Sequence, residues 1–324
     1  MDIKNQHFSK PLVIAGPCSA ESREQVLTTA KGLVNKATVF RAGIWKPRTR
    51  PNSFEGVGEK ALPWLNDVKA ETGLQVATEV ATAQHVEACL KANIDILWIG
   101  ARTTVNPFYV QEIAEALKGV DISVMVKNPL HPELSLWMGA LERLNQVGIN
   151  RLSAIHRGFF TLEKSAFRNE PKWELPIKLK RLAPDLPIIC DPSHISGSPQ
   201  MLAEVSQTAM DLNMDGLMIE THYNPSLALS DAQQQITPEK LGELLDNLIL
   251  RSSTHPNAQF RSALNKLRME IDSIDKKLVE IVGQRTEIVK EIGRYKKENA
   301  VTILQIERWF EILKSRKEWG EEMA

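Results

Sequence analysis

Hydrophobic and polar positions along the first 250 residues follow two alternating patterns. Short apolar or β-branched runs, typical of buried parallel strands, recur eight times. They are PLVIAGPC (11–18), VFRAGIW (39–45), LQVATEV (74–80), ILWIG (96–100), SVMVK (123–127), RLSAIHRG (151–158), LPIICDPS (186–193) and GLMIETH (216–222). Between them lie stretches of helical periodicity, such as SREQVLTTAKGLVNK (22–36) and SPQMLAEVSQTAMDLN (198–213).

Eight strand-like runs, each followed by a helix or a helix-compatible stretch, predict an α/β fold of the (β/α)8 TIM-barrel type. A doubly wound sheet is the alternative, but it rarely needs eight units in this length. We place the barrel domain at residues 1–250. The polar, proline-containing segment RSSTHPNA (251–258) is interpreted as a linker after the last barrel helix.

After the linker the pattern changes to a single long helix over residues 259–297. Apolar residues recur there at i, i+3 and i+4, from Leu264 to Ile292. Such a helix needs a partner helix to cover its apolar stripe. A second helix is predicted from near Ile303 through RWFEILKSRKEW (308–319). We therefore predict a small all-α segment over residues 259–324.

Overall charge excludes some classes of partner. Lys and Arg together number 40, as do Asp and Glu, so the net charge of zero gives no reason to expect nucleic acid or a membrane surface as partner. No apolar stretch is long enough for a signal peptide or a membrane span. The three cysteines, Cys18, Cys89 and Cys190, are sparse and odd in number, which favours a reducing cytoplasm over a disulfide framework.

The carboxyl ends of the predicted strands carry charged or metal-binding side chains. Catalytic groups of TIM barrels lie at this end of the strands. In strand order the groups are Cys18, Arg41 followed by Lys46 and Arg48, Glu79, Arg102, Lys127, Arg157, Asp191 with His194, and Glu220 with His222. A single charged residue after a strand is more often a solvated loop residue. Eight such ends in one chain are hard to obtain by accident, so we expect these groups to converge.

Six of these groups are cations, too many for one small anion. Packed together without a ligand they would repel one another, so anionic substrates are expected to offset them. Arginine favours phosphate through its planar fork, whereas lysine acts as a point charge that also donates a proton. Two phosphorylated substrates, one of them also a carboxylate, would suit this number of cations.

A second subset offers metal ligands of mixed type. Cys18, His194, Glu220 and Asp231 supply a thiolate, an imidazole and two carboxylates. This combination suits Mn, Fe, Co or Zn and suits Mg or Ca poorly. The four residues are far apart in sequence, and only their shared placement, at strand ends or just after the last strand, makes them a candidate ligand set.

Seven short motifs resemble 3-deoxy-D-arabino-heptulosonate 7-phosphate (DAHP) synthase of the short, barrel-centred subfamily, over roughly residues 11–250. They are AGPCSAES (15–22), KPRT (46–49), ATEV (77–80), IGAR (99–102), HRG (156–158), DPSH (191–194) and LSDAQQQ (229–235). The resemblance implies condensation of phosphoenolpyruvate with erythrose 4-phosphate to DAHP and phosphate, the first step of the shikimate pathway of aromatic amino acid biosynthesis.

The resemblance also implies roles for individual residues. The metal ligands would be Cys18, His194, Glu220 and Asp231, with Mn as the first candidate ion and Fe, Co or Zn as the others. Phosphoenolpyruvate would be held by Lys46, Arg102, Lys127 and Arg157, with Arg41 near its carboxylate. Arg48 and Thr49 would contact erythrose 4-phosphate, Lys46 would protonate the new alkoxide, and Glu79 would lie near the reacting carbons. Asn128 and His156 depart from the related pattern, which often has Arg and Glu there.

The helical segment has a resemblance of its own. Arg285 and Lys296 are predicted on one helix face, about 16 Å apart, and spacing alone favours side chains that snorkel to water. However, KLRMEIDSIDKKLVEIVGQRTEIVKEIGRYKK (266–297) resembles the first helix of the all-helical chorismate mutases. That resemblance implies chorismate binding by Arg285, Lys296 and Arg308, with Arg268 supplied by the other subunit of a dimer and Lys296 on the ether oxygen.

Two features of the segment depart from the mutases. Trp309 stands where glutamate is common, and the third helix with its polar ligand is expected after Ala324, so the segment is interpreted as lacking it. We expect chorismate as substrate, prephenate as a possible feedback inhibitor, and a homodimer or higher homo-oligomer. Alternatives stay open at this point. They are a sister phosphoenolpyruvate-dependent synthase using arabinose 5-phosphate, a phosphate-sensing barrel without catalysis, and a tail that only dimerises or regulates.

Overall fold

The computed structural model describes residues 1, 3, 11–46, 54–163, 165–251 and 257–323. The chain divides into two compact units, Met1–Arg251 and Ser252–Ala324. The first is an α/β barrel, and the described residues of the second form two helices and their connection.

Eight parallel strands close into a barrel in sequence order, with β1 pairing β8. They are β1 Leu12–Gly16, β2 Val39–Arg41, β3 Gln75–Val80, β4 Ile96–Ile99, β5 Ser123–Lys127, β6 Leu152–His156, β7 Ile188–Cys190 and β8 Gly216–Glu220. Each strand lies within one of the eight apolar runs, so the predicted (β/α)8 barrel is confirmed. The strands are buried on both faces, which is why they have no simple polar–apolar alternation in sequence.

Helices connect the strands and cover the barrel. The described residues form α1 Arg23–Gly32, α2 Leu62–Thr72, α3 Ala83–Lys91, α4 Ala101–Thr104, α5 Pro107–Ala116, α6 Leu134–Gln146, α7 Glu174–Leu182, α8 Pro192–Ser196, α9 Leu202–Asp211 and α10 Pro238–Asp246. Several begin at a capping side chain: Ser22, Thr82, Asn106 and Thr237 each accept a hydrogen bond from a backbone N–H of the first turn. The short α4 and α8 follow β4 and β7 directly and start within the IGAR and DPSH motifs.

The barrel interior is apolar toward the amino ends of the strands, here called its lower part, and polar at their carboxyl ends. An apolar layer fills its lower part, formed by Leu12, Ile14, Val39, Ala77, Ile96, Trp98, Met125, Ile155, Ile189 and Met218. Because side chains alternate along a strand, the residue two positions beyond an inward residue also points inward. Arg41, Lys127 and Glu220 are each two positions beyond a member of this layer. The strand period therefore places charged side chains at the opening above the apolar layer, here called the barrel mouth.

The helical unit consists of α11 Ala258–Glu298 and α12 Ile306–Met323. The Asn257 side chain caps α11 by accepting from the backbone N–H groups of Gln259 and Phe260. These helices confirm the predicted long helix and its successor. Apolar residues of the α11 stripe remain about half exposed, for example Ile271 at 56% and Ile281 at 59%. Among the described residues, none of the helices combines the length and the apolar character that crossing a membrane requires.

Candidate active site

Three of the four predicted metal ligands form one cluster at the barrel mouth. Ligand atoms of Cys18, Glu220 and Asp231 all lie within 4.8 Å of one another. Cys18 Sγ is 3.3 Å from Asp231 Oδ2. The fourth, His194, points its Nε2 toward the cluster, 3.8 Å from Glu220 Oε1. Side chains from the turn after β1, the end of β8, α8 and the loop after β8 thus lie close together.

The backbone explains how the cluster forms. Gly16 and Glu220 pair across β1 and β8, so the chain reaches Cys18 directly beside the end of β8. Gly16 has a φ of +148°, and a Cβ there would lie 2.1 Å from the carbonyl oxygen of Arg41, so only glycine fits at this position. The loop after β8 is tied to the Cys18 turn, because the backbone N–H of Cys18 donates to Gln235 Oε1 at 3.0 Å.

His194 is oriented by a buried carboxylate. Its Nδ1 hydrogen-bonds Asp191 Oδ1 at 3.0 Å, while the other oxygen of Asp191 accepts from Lys127 Nζ at 2.8 Å. A carboxylate on one ring nitrogen leaves the other nitrogen available as a ligand. Burial raises the pKa of Asp191, but His194 and Lys127 outweigh it and hold that pKa well below its usual range. Asp191 therefore links a candidate metal ligand to a candidate phosphate-binding lysine.

The chemistry of the donor set fits a divalent cation. Burial and the adjacent Glu220 carboxylate raise the pKa of the Cys18 thiol to about 11. Burial also raises the pKa of Glu220, but His194 and Arg41 outweigh it and lower that pKa overall. A buried sulfur between two carboxylates is a poor packing arrangement by itself and a good one around a cation. Sulfur, imidazole and carboxylate together suit the borderline ions named above.

Cations surround this cluster. Arg41 is buried and its Nη1 lies 2.9 Å from Glu220 Oε1, so its guanidinium contacts the ligand cluster itself. Lys46 Nζ lies 3.2 Å from Cys18 Sγ. Burial, together with the positive charges of Arg168 and Arg102, lowers the pKa of Arg157 to about 10. Arg41 and Lys46 therefore border the ligand cluster directly.

Glu79 lies near the carboxyl end of β3. Its Oε2 accepts from the indole N–H of Trp98 at 3.1 Å. A Cβ on Gly100 would lie 2.0 Å from Glu79 Oε1, so the glycine of IGAR leaves room for this carboxylate. Two further predicted residues, Arg48 and Thr49, lie outside the described residues, and of the KPRT motif the structure describes Lys46.

Comparison with known proteins identifies the family of each region. The family model described as DAHP synthetase I matches residues 2–253, and the one described as chorismate mutase type II matches residues 267–324. The chain belongs to the DAHP synthetase I family. It is accordingly an enzyme of the DAHP synthase type with a chorismate mutase region, and the resemblance seen in the motifs is confirmed.

The proteins similar to this DAHP synthase family member include enzymes of two names. A phospho-2-dehydro-3-deoxyheptonate aldolase of Thermotoga maritima is 31% identical over 76% of this chain and 70% of its own length. The crystal structure of DAHP synthase from the same organism has a TM-score of 0.66 at 30% identity, covering 72% of this chain and 67% of that one. A 2-dehydro-3-deoxyphosphooctonate aldolase of Wolinella succinogenes is 27% identical over 74% of this chain and 99% of its own.

Two site residues of this family member escaped the sequence prediction. Arg168 lies in the loop between β6 and α7, and its Nη1 donates to Asp231 Oδ1 at 3.1 Å and also to the side chain of Gln234. Asn169 accepts from Arg157 Nη1 at 2.7 Å and donates to the carbonyl of His194 at 2.6 Å. Neither residue directly follows a strand, so choosing candidates at the carboxyl ends of the predicted strands did not include them.

Asn128 and His156, the two residues that depart from the family pattern, have different environments in the structure. Asn128 supports Arg157, whose backbone N–H donates to Asn128 Oδ1 at 2.7 Å. His156 is buried, with aromatic neighbours that include Trp137 and Trp173. Burial and the neighbouring Arg157 lower the pKa of His156 to about 3, which keeps its ring neutral.

In the chorismate mutase region, residues of α11 and α12 line an open cavity of about 880 Å³. Arg285, Lys296 and Arg308 all line it, together with Arg316 and Gln284. Lys296 Nζ donates to the carbonyl of Ile303 at 2.9 Å. Arg268 is not among the lining residues and lies 17 positions before Arg285 on α11, about 25 Å along the axis. Three of the four predicted cations therefore share one cavity.

Proposed function

We propose that the barrel condenses phosphoenolpyruvate with erythrose 4-phosphate to give DAHP and phosphate. The observation that carries this proposal is the cluster of Cys18, Glu220 and Asp231 with Lys46 Nζ only 3.2 Å from the cysteine sulfur. It combines a cation-binding set with a proton donor at the same point. Family membership supports the reaction type.

Cys18, His194, Glu220 and Asp231 would hold the divalent ion, with Mn as the first candidate and Fe, Co or Zn as the others. When bound, such an ion supplies Lewis-acid polarisation of the aldehyde oxygen of erythrose 4-phosphate. The thiol ligand requires a reduced sulfur, and all three cysteines are free. This requirement supports our proposal of a cytoplasmic location.

The surrounding cations would bind and position phosphoenolpyruvate. Lys127 and Arg157 lie at neighbouring strand ends and Arg102 follows β4, so their charges face one volume. Arg41 is proposed near the carboxylate, and its pairing with Glu220 would keep that end of the substrate next to the ligand cluster. Arg48 and Thr49 are proposed to hold erythrose 4-phosphate. Holding both reactants in this way can contribute many orders of magnitude in rate.

The chemical step then follows from the positions of Lys46 and Glu79. C3 of phosphoenolpyruvate uses its enol π electrons to form a bond to the aldehyde carbon, and Lys46 donates its proton to the alkoxide that results. Positive charge develops at C2, where Glu79 stabilises it and orients the water that adds. The added water loses one proton to solvent and the second to the departing phosphate as the C2–O bond to phosphate breaks, which releases inorganic phosphate and leaves the keto group of DAHP.

For the second region we propose the rearrangement of chorismate to prephenate, which needs no cofactor. Arg285, Lys296 and Arg308 would hold the two carboxylates and the ether oxygen, since all three line one cavity. Arg268 would come from a second copy, because its place on α11 is about 25 Å from Arg285. The half-exposed apolar stripe of α11 supports a homodimer. We further propose that prephenate inhibits the barrel through this region.

The proposed domain organisation is a barrel over residues 1–250, a linker over 251–258 and a helical domain over 259–324.

The test is phosphate release from phosphoenolpyruvate in the presence of erythrose 4-phosphate and Mn²⁺. EDTA should abolish it and Mn²⁺ should restore it. Cys18→Ala should remove more than about 99% of the activity through metal loss, whereas Cys89→Ala, a change at a buried cysteine on α3, should keep it. Full activity in metal-free buffer would contradict the proposal. Chorismate turnover is assayed separately on the same protein.

A second candidate is the sister reaction with arabinose 5-phosphate. It is favoured by the 2-dehydro-3-deoxyphosphooctonate aldolases, which are 26–27% identical and are matched over 88–99% of their own length. The same assay with arabinose 5-phosphate in place of erythrose 4-phosphate distinguishes the two. Faster phosphate release with the pentose phosphate would favour the sister reaction, and release with neither aldose would favour a sensor.

A further inference from the structure

Trp98 lies inside the barrel, directly beneath the proposed reaction centre. It belongs to β4, is fully buried, and is a member of the apolar layer that fills the lower barrel. It is the largest side chain of that layer. Within ILWIG, Trp98 is one apolar residue among several, so the local pattern predicts no role for it beyond packing.

Three side chains with proposed roles contact Trp98, and they come from three different strands. The indole N–H donates to Glu79 Oε2 on β3 at 3.1 Å. The guanidinium carbon of Arg41 on β2 lies over the ring, 4.9 Å from its centroid. Lys127 Nζ on β5 lies over it at 6.0 Å. Trp98 is therefore a shared contact of one carboxylate and two cations.

The chemistry of indole suits each contact. The face of an aromatic ring carries negative electrostatic potential, so it attracts a cation. Unlike a carboxylate, the ring has no net charge that would offset the charge of the cation. The ring therefore adds a contact to Arg41 and Lys127 that occupies none of their hydrogen-bond donors, beyond those that already pair with Glu220 and Asp191. The indole N–H donates only, so it always presents a proton to Glu79 and fixes the direction of that carboxylate.

We propose that Trp98 is a positioning residue for the condensation: its N–H orients Glu79 toward the carbon at which water adds, and its ring holds Arg41 and Lys127 where phosphoenolpyruvate binds. This proposal rests on the proposed function. It predicts two separable effects, because one contact is made by the N–H and two by the ring.

The substitution Trp98→Phe keeps an aromatic face and removes the N–H. We expect kcat to fall about tenfold or more, the usual consequence of losing a hydrogen bond to a charged group, with the KM for phosphoenolpyruvate within about twofold of the wild type. Trp98→Leu removes the ring as well and should also raise that KM about tenfold. Trp137→Phe is the matched control, since Trp137 is equally buried but donates to a backbone carbonyl, that of Val126, at 3.0 Å.

The outcomes separate the two proposals. If the wild type releases no phosphate with either aldose, the proposed function fails. If the wild type is active and Trp98→Phe matches Trp137→Phe in both kcat and KM, the role of Trp98 is overturned. Circular dichroism of each variant shows whether the barrel is folded.

A second measurement does not depend on the folding of a Trp98 variant. In protein labelled with 5-fluorotryptophan and loaded with diamagnetic Zn²⁺, the seven tryptophans give seven ¹⁹F resonances. Glu79→Gln should shift the resonance of Trp98, because it replaces the charged acceptor of the indole N–H. Phosphoenolpyruvate should shift the same resonance in the wild type, since it binds the two cations over the ring. The proposal is overturned if the resonance that shifts in Glu79→Gln does not shift when phosphoenolpyruvate is added to the wild type.

Discussion

Arg168 and Asp231 form an ion pair at the barrel mouth, with Arg168 Nη1 3.1 Å from Asp231 Oδ1. Asp231 has left-handed backbone geometry, with φ at 47°, and its other oxygen accepts from the Cys18 thiol. Burial raises the pKa of Asp231, but Arg168 and His194, together with the hydrogen bond from Cys18, outweigh it and lower that pKa overall. A loop after β6 therefore orients a proposed metal ligand that follows β8.

This contact predicts that Arg168 tunes metal affinity. In Arg168→Gln the carboxylate of Asp231 loses its orienting partner, and we expect the apparent metal dissociation constant to rise about tenfold or more. At saturating metal, kcat should return to near the wild-type value, because Arg168 is not proposed to contact the substrates. The measurement is a titration of metal-stripped enzyme with Mn²⁺.

Arg151→Gln serves as the control for this titration. Arg151 also pairs with an aspartate, Asp121, at 3.2 Å, but it stands at the amino end of β6, away from the mouth. Equal metal dissociation constants in the two variants would show that Arg168 does not orient Asp231.

Lys46 is predicted to act in turnover more than in binding. Its Nζ is 3.2 Å from Cys18 Sγ, so Lys46→Met removes the proton donor at the ligand cluster. We expect kcat to fall at least about a hundredfold, in the usual range for general acid catalysis. Lys60→Met, at an exposed lysine, should behave as the wild type. Steady-state kinetics with each substrate varied would test this, and a kcat equal to that of Lys60→Met would reject the assignment.

Arg48→Ala extends the same comparison to erythrose 4-phosphate. Its side chain is proposed to bind the phosphate of that substrate, so its loss should raise the KM for erythrose 4-phosphate and leave the KM for phosphoenolpyruvate nearly unchanged. An unaltered KM for erythrose 4-phosphate would contradict this division of roles.

His156 should make the barrel less stable in acid. Its folded-state pKa of about 3 lies below the ordinary value of 6.5, so between these pH values the unfolded chain takes up a proton that the folded barrel does not. The free energy of unfolding should therefore fall as pH decreases from 6.5 toward 3, by up to about 1.4 kcal/mol per pH unit from this group. His156→Gln should flatten that slope.

The slope is measured by thermal unfolding of the barrel at a series of pH values. His131→Gln is the control, because His131 is exposed in the loop after β5 and the wild-type slope should persist. The level of stability is expected to differ between variants, so the comparison concerns the pH dependence alone. An unchanged slope in His156→Gln would exclude this residue as the origin of the acid sensitivity.

In the helical region, Arg285→Ala should abolish chorismate turnover. Arg285 lines the cavity that also contains Lys296 and Arg308, and a chorismate carboxylate would lose its partner there. Arg294→Ala is the matched control, since Arg294 is on the same helix but pairs with Glu291 and Glu298 on the surface. Phosphate release by the barrel should persist in both variants, and its inhibition by prephenate should be lost only in Arg285→Ala. Equal chorismate turnover in the two variants would contradict the assignment.

Three of the candidate metal ligands could be predicted from local sequence because of their position relative to the strand-like runs. Cys18, His194 and Glu220 stand at or just beyond the ends of apolar runs, and parallel strands in a closed barrel bring all such ends to one side. The same rule selected Lys127 and Arg157. Asp231 was predicted on the looser criterion that it lies in the loop just after the last strand, since its left-handed backbone geometry has no periodic signal.

Hydrophobic periodicity is a property of neighbouring residues, so the strands, the long helix and the strand ends at which polar groups accumulate could be predicted from the chain alone. The contact of Arg168 with Asp231, 63 residues away, and the place of Trp98 under Arg41 and beside Glu79 became visible only in the folded barrel. These contacts depend on barrel closure and on the path of a long loop. Nothing in the neighbours of Trp98 or Arg168 along the chain specifies what the closed barrel places against them.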